Sequence, residues 1–111
     1  MSLDDRIISN KIKVSESSQG CVIEFMEACL DGNSVEFEHA LESALNRGGN
    51  LVQIHMHQTE MISSLALSRL LSFQSKCAKH EIKVSYLGIQ PSLAKILTSL
   101  KLADYFGLKE T

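Results

Sequence analysis

Ser63 and Ser64 stand side by side where a helically periodic segment begins, which puts two hydroxyls at a helix N-terminus. Free backbone N–H groups and the helix dipole favour negative charge at such a place. Two chemistries are open to the pair. A hydroxyl can cap the helix by accepting one of those N–H groups. A hydroxyl left outside can take a phosphoryl group, which adds about two negative charges. The segment leading into the pair, His57-Gln58-Thr59-Glu60-Met61-Ile62, is the most polar link between a strand and a helix in the chain. His55 and His57 form an HxH on one strand face, with Glu24 as the one conceivable third donor. A metal site needs that third ligand and supporting partners behind it. Nothing in the spacing requires either, so the histidines read as solvated or partner-facing and no metal is expected. Glu60 has no nucleophile constellation beside it, and Ser64 lacks the GxSxG of a nucleophile elbow. There is no GxGxxG and no P-loop. The expectation is a protein with no catalytic residues and no cofactor, and not an enzyme.

The elements that must carry these residues follow from periodicity. Lys11-Ile12-Lys13-Val14 alternates, SESSQG at 15–20 reads as a turn, and Cys21 to Met26 reads as a second strand, so the two form a hairpin. Asn33 is read as the N-cap of the first helix, with Glu36 three residues on as in a capping box. Phe37, Ala40, Leu41, Ala44 and Leu45 share one face of that helix, and Gly48-Gly49 ends it. Leu51 to His57 alternates again: Val52, Ile54 and Met56 on one face, Gln53, His55 and His57 on the other. The second helix begins near Ser63 or Ser64, with Leu67, Leu70, Leu71 and Ala78 as its apolar stripe and Lys79-His80 at its end. Ile82, Val84 and Tyr86 alternate in a fourth strand. Pro91 opens a third helix whose stripe is Leu93, Ile96, Leu97 and Leu100. Leu102, Tyr105, Phe106 and Leu108 pack back as a last short turn.

Strands alternating with helices imply right-handed parallel crossovers. Each strand has one polar face, whereas parallel strands covered on both sides are apolar throughout. The expected fold is α/β: a two-layer sandwich with a mixed four- to five-stranded sheet, helices on one face, and the order ββαβαβα(α). The expected organisation is an N-terminal extension over 1–8, a single domain over 9–108 and a tail over 109–111. In open α/β sheets function gathers at the carboxyl ends of strands, which again selects the 57–64 link. Asp31, at the end of the second strand, falls near the same edge. Leu65 lies off the main stripe and is the best exposed apolar contact, while Met61 and Ile62, like the apolar residues of the second helix, are more often core than interface.

The 111 residues carry 11 Lys plus Arg against 13 Asp plus Glu, a net charge of −2 at pH 7. Such balance gives no global attraction to nucleic acid. No apolar run reaches the ~18–20 residues of a membrane span, and the first ten residues lack a secretory n- and h-region. No nucleic acid and no membrane insertion are expected. Cys21, Cys29 and Cys77 are odd in number and lack CxxC, so buried free thiols in a reducing, cytoplasmic setting are expected.

The chain resembles the STAS domain, the fold of bacterial anti-sigma factor antagonists, over roughly residues 9–108. The family stretch Gly-Glu-Leu-Asp is similar to Ala28-Cys29-Leu30-Asp31. The strand and loop Asp-Leu-Ser-Gly-Val-x-Phe-Ile-Asp-Ser-Ser-Gly-Leu is similar to residues 55–67, HMHQTEMISSLAL. Ile-Ser-Pro-x-Val-x-x-Leu is similar to residues 89–96, and the closing Gly-Leu-x-x-x-Phe to residues 101–106. Matched without a gap, Ser64 falls on the hydroxyl that a partner serine kinase phosphorylates, with Ser63 as the neighbouring candidate. Ser63 replaces the preceding Asp, Leu65 the following Ser or Thr, Ala66 the Gly, and His55 an Asp of the strand. The resemblance implies a protein-interaction module. It would bind a regulatory partner, a serine kinase anti-sigma factor for instance, through Asp31, Gln58, Thr59, Glu60, Met61 and Leu65, with Ser64 as a switch. The alternative it implies is a degenerate STAS subunit with a structural role in a larger complex, such as a transporter-associated assembly. A homodimer is compatible with either.

Overall fold

One-sided alternation in the strands dictates a sheet that buries one face, and the structure builds it. The structure, a computed structural model, describes residues 5–9, 11–47 and 49–108, the first range by backbone alone. In chain order the elements are β1 (Asp5–Ser9), β2 (Ile12–Ser17), β3 (Gly20–Phe25), β4 (Cys29–Leu30), α1 (Val35–Asn46), β5 (Leu51–His55), β6 (Met61–Ile62), α2 (Ser64–Lys79), β7 (Lys83–Leu87), α3 (Pro91–Ser99) and a 3-10 turn (Ala103–Phe106). The main sheet runs β1-β2-β3-β5-β7. Its first three strands are antiparallel neighbours, and β3, β5 and β7 are parallel. The expected mixed α/β sandwich is therefore the observed fold. β4 and β6 form a separate two-residue parallel pair.

Ile12, Val14, Cys21, Ile23, Phe25, Val52, Ile54 and Met56 are sealed on one sheet face. Their alternates Lys13, Ser15, Val22, Glu24, Gln53 and His55 are only half-buried. The sealed face meets Phe37, Ala40 and Ala44 of α1, Ala66, Leu70, Phe73 and Cys77 of α2, and Leu93 and Leu97 of α3. Phe25 and Phe37 stack across the two layers at 5.5 Å, a contact worth more than its buried area alone.

Several local expectations change. Residues 1–8 are set outside the domain by the sequence reading, yet Asp5–Ser9 pairs with β2, in the register Arg6↔Val14 and Ile7↔Lys13. The strand covers donors and acceptors that β2 would otherwise present at an open edge. Residues 1–4, Asn10, Gly48 and the tail 109–111 lie outside the described residues. The N-cap of α1 is Ser34, not Asn33; the Phe37 N–H donates to Ser34 Oγ at 3.1 Å. Both residue types cap well, so spacing does not separate them. Glu36 thereby moves out of the capping-box position. Ala78 is exposed because α2 buries Ala66, Leu70, Phe73 and Cys77 instead. Leu100 and Tyr105 are also exposed; Leu100 is the C-cap of α3, and Lys101 turns the chain away at φ 62°.

All three cysteines are free; Cys21 and Cys77 are buried, but Cys29 is exposed on the outer side of β4. Burial pushes the Cys77 thiol up to about 11, and neighbouring Cys21 adds to the shift. Two outcomes are expected. At neutral pH a thiol reagent labels Cys29 in the native protein, and labels Cys21 and Cys77 only after unfolding, read by intact mass. In the unfolded chain the Cys77 thiol ionises near its ordinary value of 9.0, while the folded chain holds the proton to about 11. Stability therefore falls as pH rises through that interval, and Cys77→Ala flattens part of the fall in urea titrations.

Candidate functional site

The chain leaves β5 with Met56, whose N–H donates to Leu87 O at 2.8 Å and whose side chain is sealed in the core. It then turns: the Thr59 N–H donates to Met56 O at 3.0 Å. The Glu60 and Met61 N–H groups both donate to Ala28 O, at 2.7 and 3.0 Å. β6 next runs beside β4 in the register Cys29↔Met61 and Leu30↔Ile62, and the Ser63 N–H donates to Leu30 O at 2.9 Å. Residues 28–32 and 60–66 are thus laced together at the end of the sheet.

Ser63 completes the lacing. It is the N-cap of α2: its Oγ accepts the Ala66 N–H at 3.0 Å and donates to the Asp31 carbonyl. Gly32, at φ +78°, closes the approach, because a Cβ there would lie 2.5 Å from Ala66 Cα. The same contact explains a small, fully buried residue at 66. The Ser63 hydroxyl is therefore engaged in the fold as both donor and acceptor. Ser64 follows as the first residue of α2 and is exposed. Among the described residues its hydroxyl has no hydrogen-bond partner.

The other expected contact residues divide. Asp31, Gln58 and Glu60 are exposed, as are Met61 at 59% and Leu65 at 39%. In β6, Ile62 turns inward and Met61 outward, the alternation of a strand. Thr59 is a correction: it is fully buried, out of a partner's reach, and among the described residues its hydroxyl lacks a hydrogen-bond partner. The turn that bonds its N–H to Met56 O takes the side chain inward with it. His55 and His57 stand edge-on at 6.2 Å, with His57 Nε2 3.4 Å from Glu24 Oε2. Among the described residues, no group of three His, Cys, Asp or Glu could hold a metal ion.

Sequence reasoning missed the part played by α3. Gln90 Nε2 donates to His57 O at 2.6 Å, and Ser92 Oγ donates to Glu60 O at 3.5 Å. Pro91 signals the helix start, but nothing in the spacing shows that the residues on either side of it hold a loop some thirty positions away. Gly88, at φ +73°, lets the chain pass His57, where a Cβ would lie 2.8 Å from the His57 Cβ. The loop is held on one flank by the 28–32 segment and on the other by the first turn of α3.

The chain is thus a small α/β domain whose one-sided mixed sheet ends in a braced loop, beside an exposed hydroxyl on the first turn of a helix. The STAS domain family model matches residues 11–111, and the chain belongs to that family. An anti-sigma factor antagonist from Mycobacterium paratuberculosis is similar in structure, with a TM-score of 0.75, 18% identity, and 96% of this chain and 90% of that one covered. An anti-sigma-factor antagonist (STAS) domain protein from Planctomyces limnophilus gives a TM-score of 0.66 at 19% identity, covering 90% and 89%. A sulfate transporter family protein from Wolinella succinogenes gives 0.64 at 16% identity, covering 78% and 70%. No curated protein matches the sequence. At these identities the structural likeness concerns the fold. No helix among the described residues is long and apolar enough to cross a membrane.

The two serines should separate cleanly in urea titrations. Ser63→Ala is expected to cost about 1 kcal/mol, the usual loss for an N-cap, while Ser64→Ala stays within about 0.5 kcal/mol. Thr59→Val is expected to raise stability by up to about 1 kcal/mol, since it removes a buried hydroxyl without a partner and keeps the shape.

Proposed function

We propose that this chain is a protein-interaction module of the anti-sigma factor antagonist kind, which docks a regulatory partner through residues 57–66 and the start of α2. The observation that carries the reading is the division of labour between adjacent serines. Ser63 is consumed as the cap, and Ser64 is left exposed beside it, without a hydrogen-bond partner among the described residues. Ser64 is the residue on which a serine kinase anti-sigma factor would act. Its Oγ would attack the γ-phosphorus of ATP, the bond to the ADP oxygen would break, and the hydroxyl proton would pass to a base of the kinase. The chain itself would catalyse nothing and would work in the cytoplasm. Two structural neighbours described as anti-sigma factor antagonists support this reading.

A second reading is favoured by the neighbour from the sulfate transporter family. In it, the domain is a structural subunit of a larger assembly, and Ser64 is a surface residue without a switch.

Incubation with an anti-sigma serine kinase and Mg-ATP separates the two, read by intact mass and peptide mapping. The switch reading expects one phosphate, on Ser64, and none in Ser64→Ala; Ser63→Ala still accepts it. Ser64→Asp is expected to weaken kinase binding about tenfold or more. A chain that takes up no phosphate, and binds equally well as Ser64→Asp, sinks the switch and leaves the structural subunit.

A further inference from the structure

The surface around Ser64 has a composition that specifies its partner's chemistry. Cys29 and Met61 are cross-strand neighbours in register and both are exposed. Leu65 is exposed on the first turn of α2. All three belong to the segments 28–32 and 60–66 that hydrogen bonds lace together, an exposed apolar strip in which Ser64 directly precedes Leu65. Exposed Met is soft and adaptable, and such residues recur on binding surfaces. Polar residues edge the strip: Asp31 and Glu60 are both exposed. An apolar centre with a polar rim is the anatomy of a protein interface. Both of these polar residues are acidic, and from Val14 to Ser68 the chain holds eight Asp and Glu against one Lys or Arg, Arg47; Arg69, just beyond, is paired with Glu38. Arg47 is itself paired with Glu16 at 2.8 Å.

Resting on the reading that this end is a docking surface, we propose that the strip receives a different protein, one whose contact face has an apolar centre bordered by Lys and Arg. Charge complementarity selects that occupant over two others. A second copy docked through the same strip would set Asp31 and Glu60 against their own kind. An anionic membrane would meet the same repulsion. Opposite charge at a rim steers encounter and rejects wrong partners, while the desolvated centre supplies most of the affinity.

The test uses the whole chain, labelled with ¹⁵N, and two amphipathic helical peptides as probes. They share a Leu/Phe face; one carries Lys on the other face and one carries Glu. The Lys peptide is expected to shift amides within 28–32 and 60–66 saturably, with affinity falling as salt is added. The Glu peptide is expected to bind at least tenfold more weakly. Met61→Ser and Leu65→Ser should each cost the Lys peptide about tenfold, with amide spectra elsewhere unchanged. Asp31→Asn with Glu60→Gln should narrow the gap between the peptides; the structural acceptor at Asp31 is its main-chain carbonyl, so that pair keeps the fold. Equal binding of the two peptides, or shifts centred elsewhere, overturns the proposal. Self-association in sedimentation that Met61→Ser abolishes also overturns it and assigns the strip to a second copy. Phosphate uptake on Ser64 with no peptide at this strip would refute the proposed partner chemistry and leave the switch standing; peptide docking without phosphate uptake would do the reverse.

Discussion

The Ser63 hydroxyl joins the start of α2 to the segment that leaves β4. By accepting the Ala66 N–H it starts α2, and by donating to the Asp31 carbonyl it fastens the exit of β4 to that start. Everything exposed at this end is exposed relative to that fastening. Ser64 takes the first helical position and faces solvent because the cap before it has used the inward direction. Ala66 can sit two residues further on only because Gly32 has no side chain to collide with it. The Gly at 32 and the small residue at 66 are thus two halves of one steric condition, and the cap is the polar interaction that the condition permits.

The one-sided layer was legible because alternation is a direct imprint of a half-covered sheet. Val52, Ile54 and Met56 are sealed while Gln53 and His55 are half-open, as their period of two requires. The stripe of α3 was legible through Leu93 and Leu97 for the same reason at a helical period. The rest depended on contacts between distant segments. β4 and β6 have two residues each, too short for any period, and exist through the parallel pairing of Cys29–Leu30 with Met61–Ile62. Cys29 is exposed by that pairing, although a lone Cys reads as buried. Thr59 looks like a loop hydroxyl in sequence and is turned into the interior by one main-chain hydrogen bond. Of two adjacent serines, sequence could say that one caps; which of them does so is decided by the Asp31 carbonyl, delivered by a segment thirty residues earlier.

The fold does not by itself choose between a switch and a structural subunit, since unlike roles share this architecture. In the proposed reading, the magnitudes at the site suit a switch. A phosphate on Ser64 would lie at the N-terminus of a 16-residue helix with no acidic residue in its first turn. There the helix dipole favours negative charge by about 0.3–1 kcal/mol, so modification would leave the fold intact. The strip beside it, Met61 and Leu65, becomes dry when a partner covers it. Burying a dianion against the apolar centre of the partner's face, away from its Lys and Arg border, costs several kcal/mol. The second quantity exceeds the first several-fold and acts only in the complex. In the proposed reading, charge at this one hydroxyl therefore alters docking and spares stability, which is the property a reversible switch on a small domain needs.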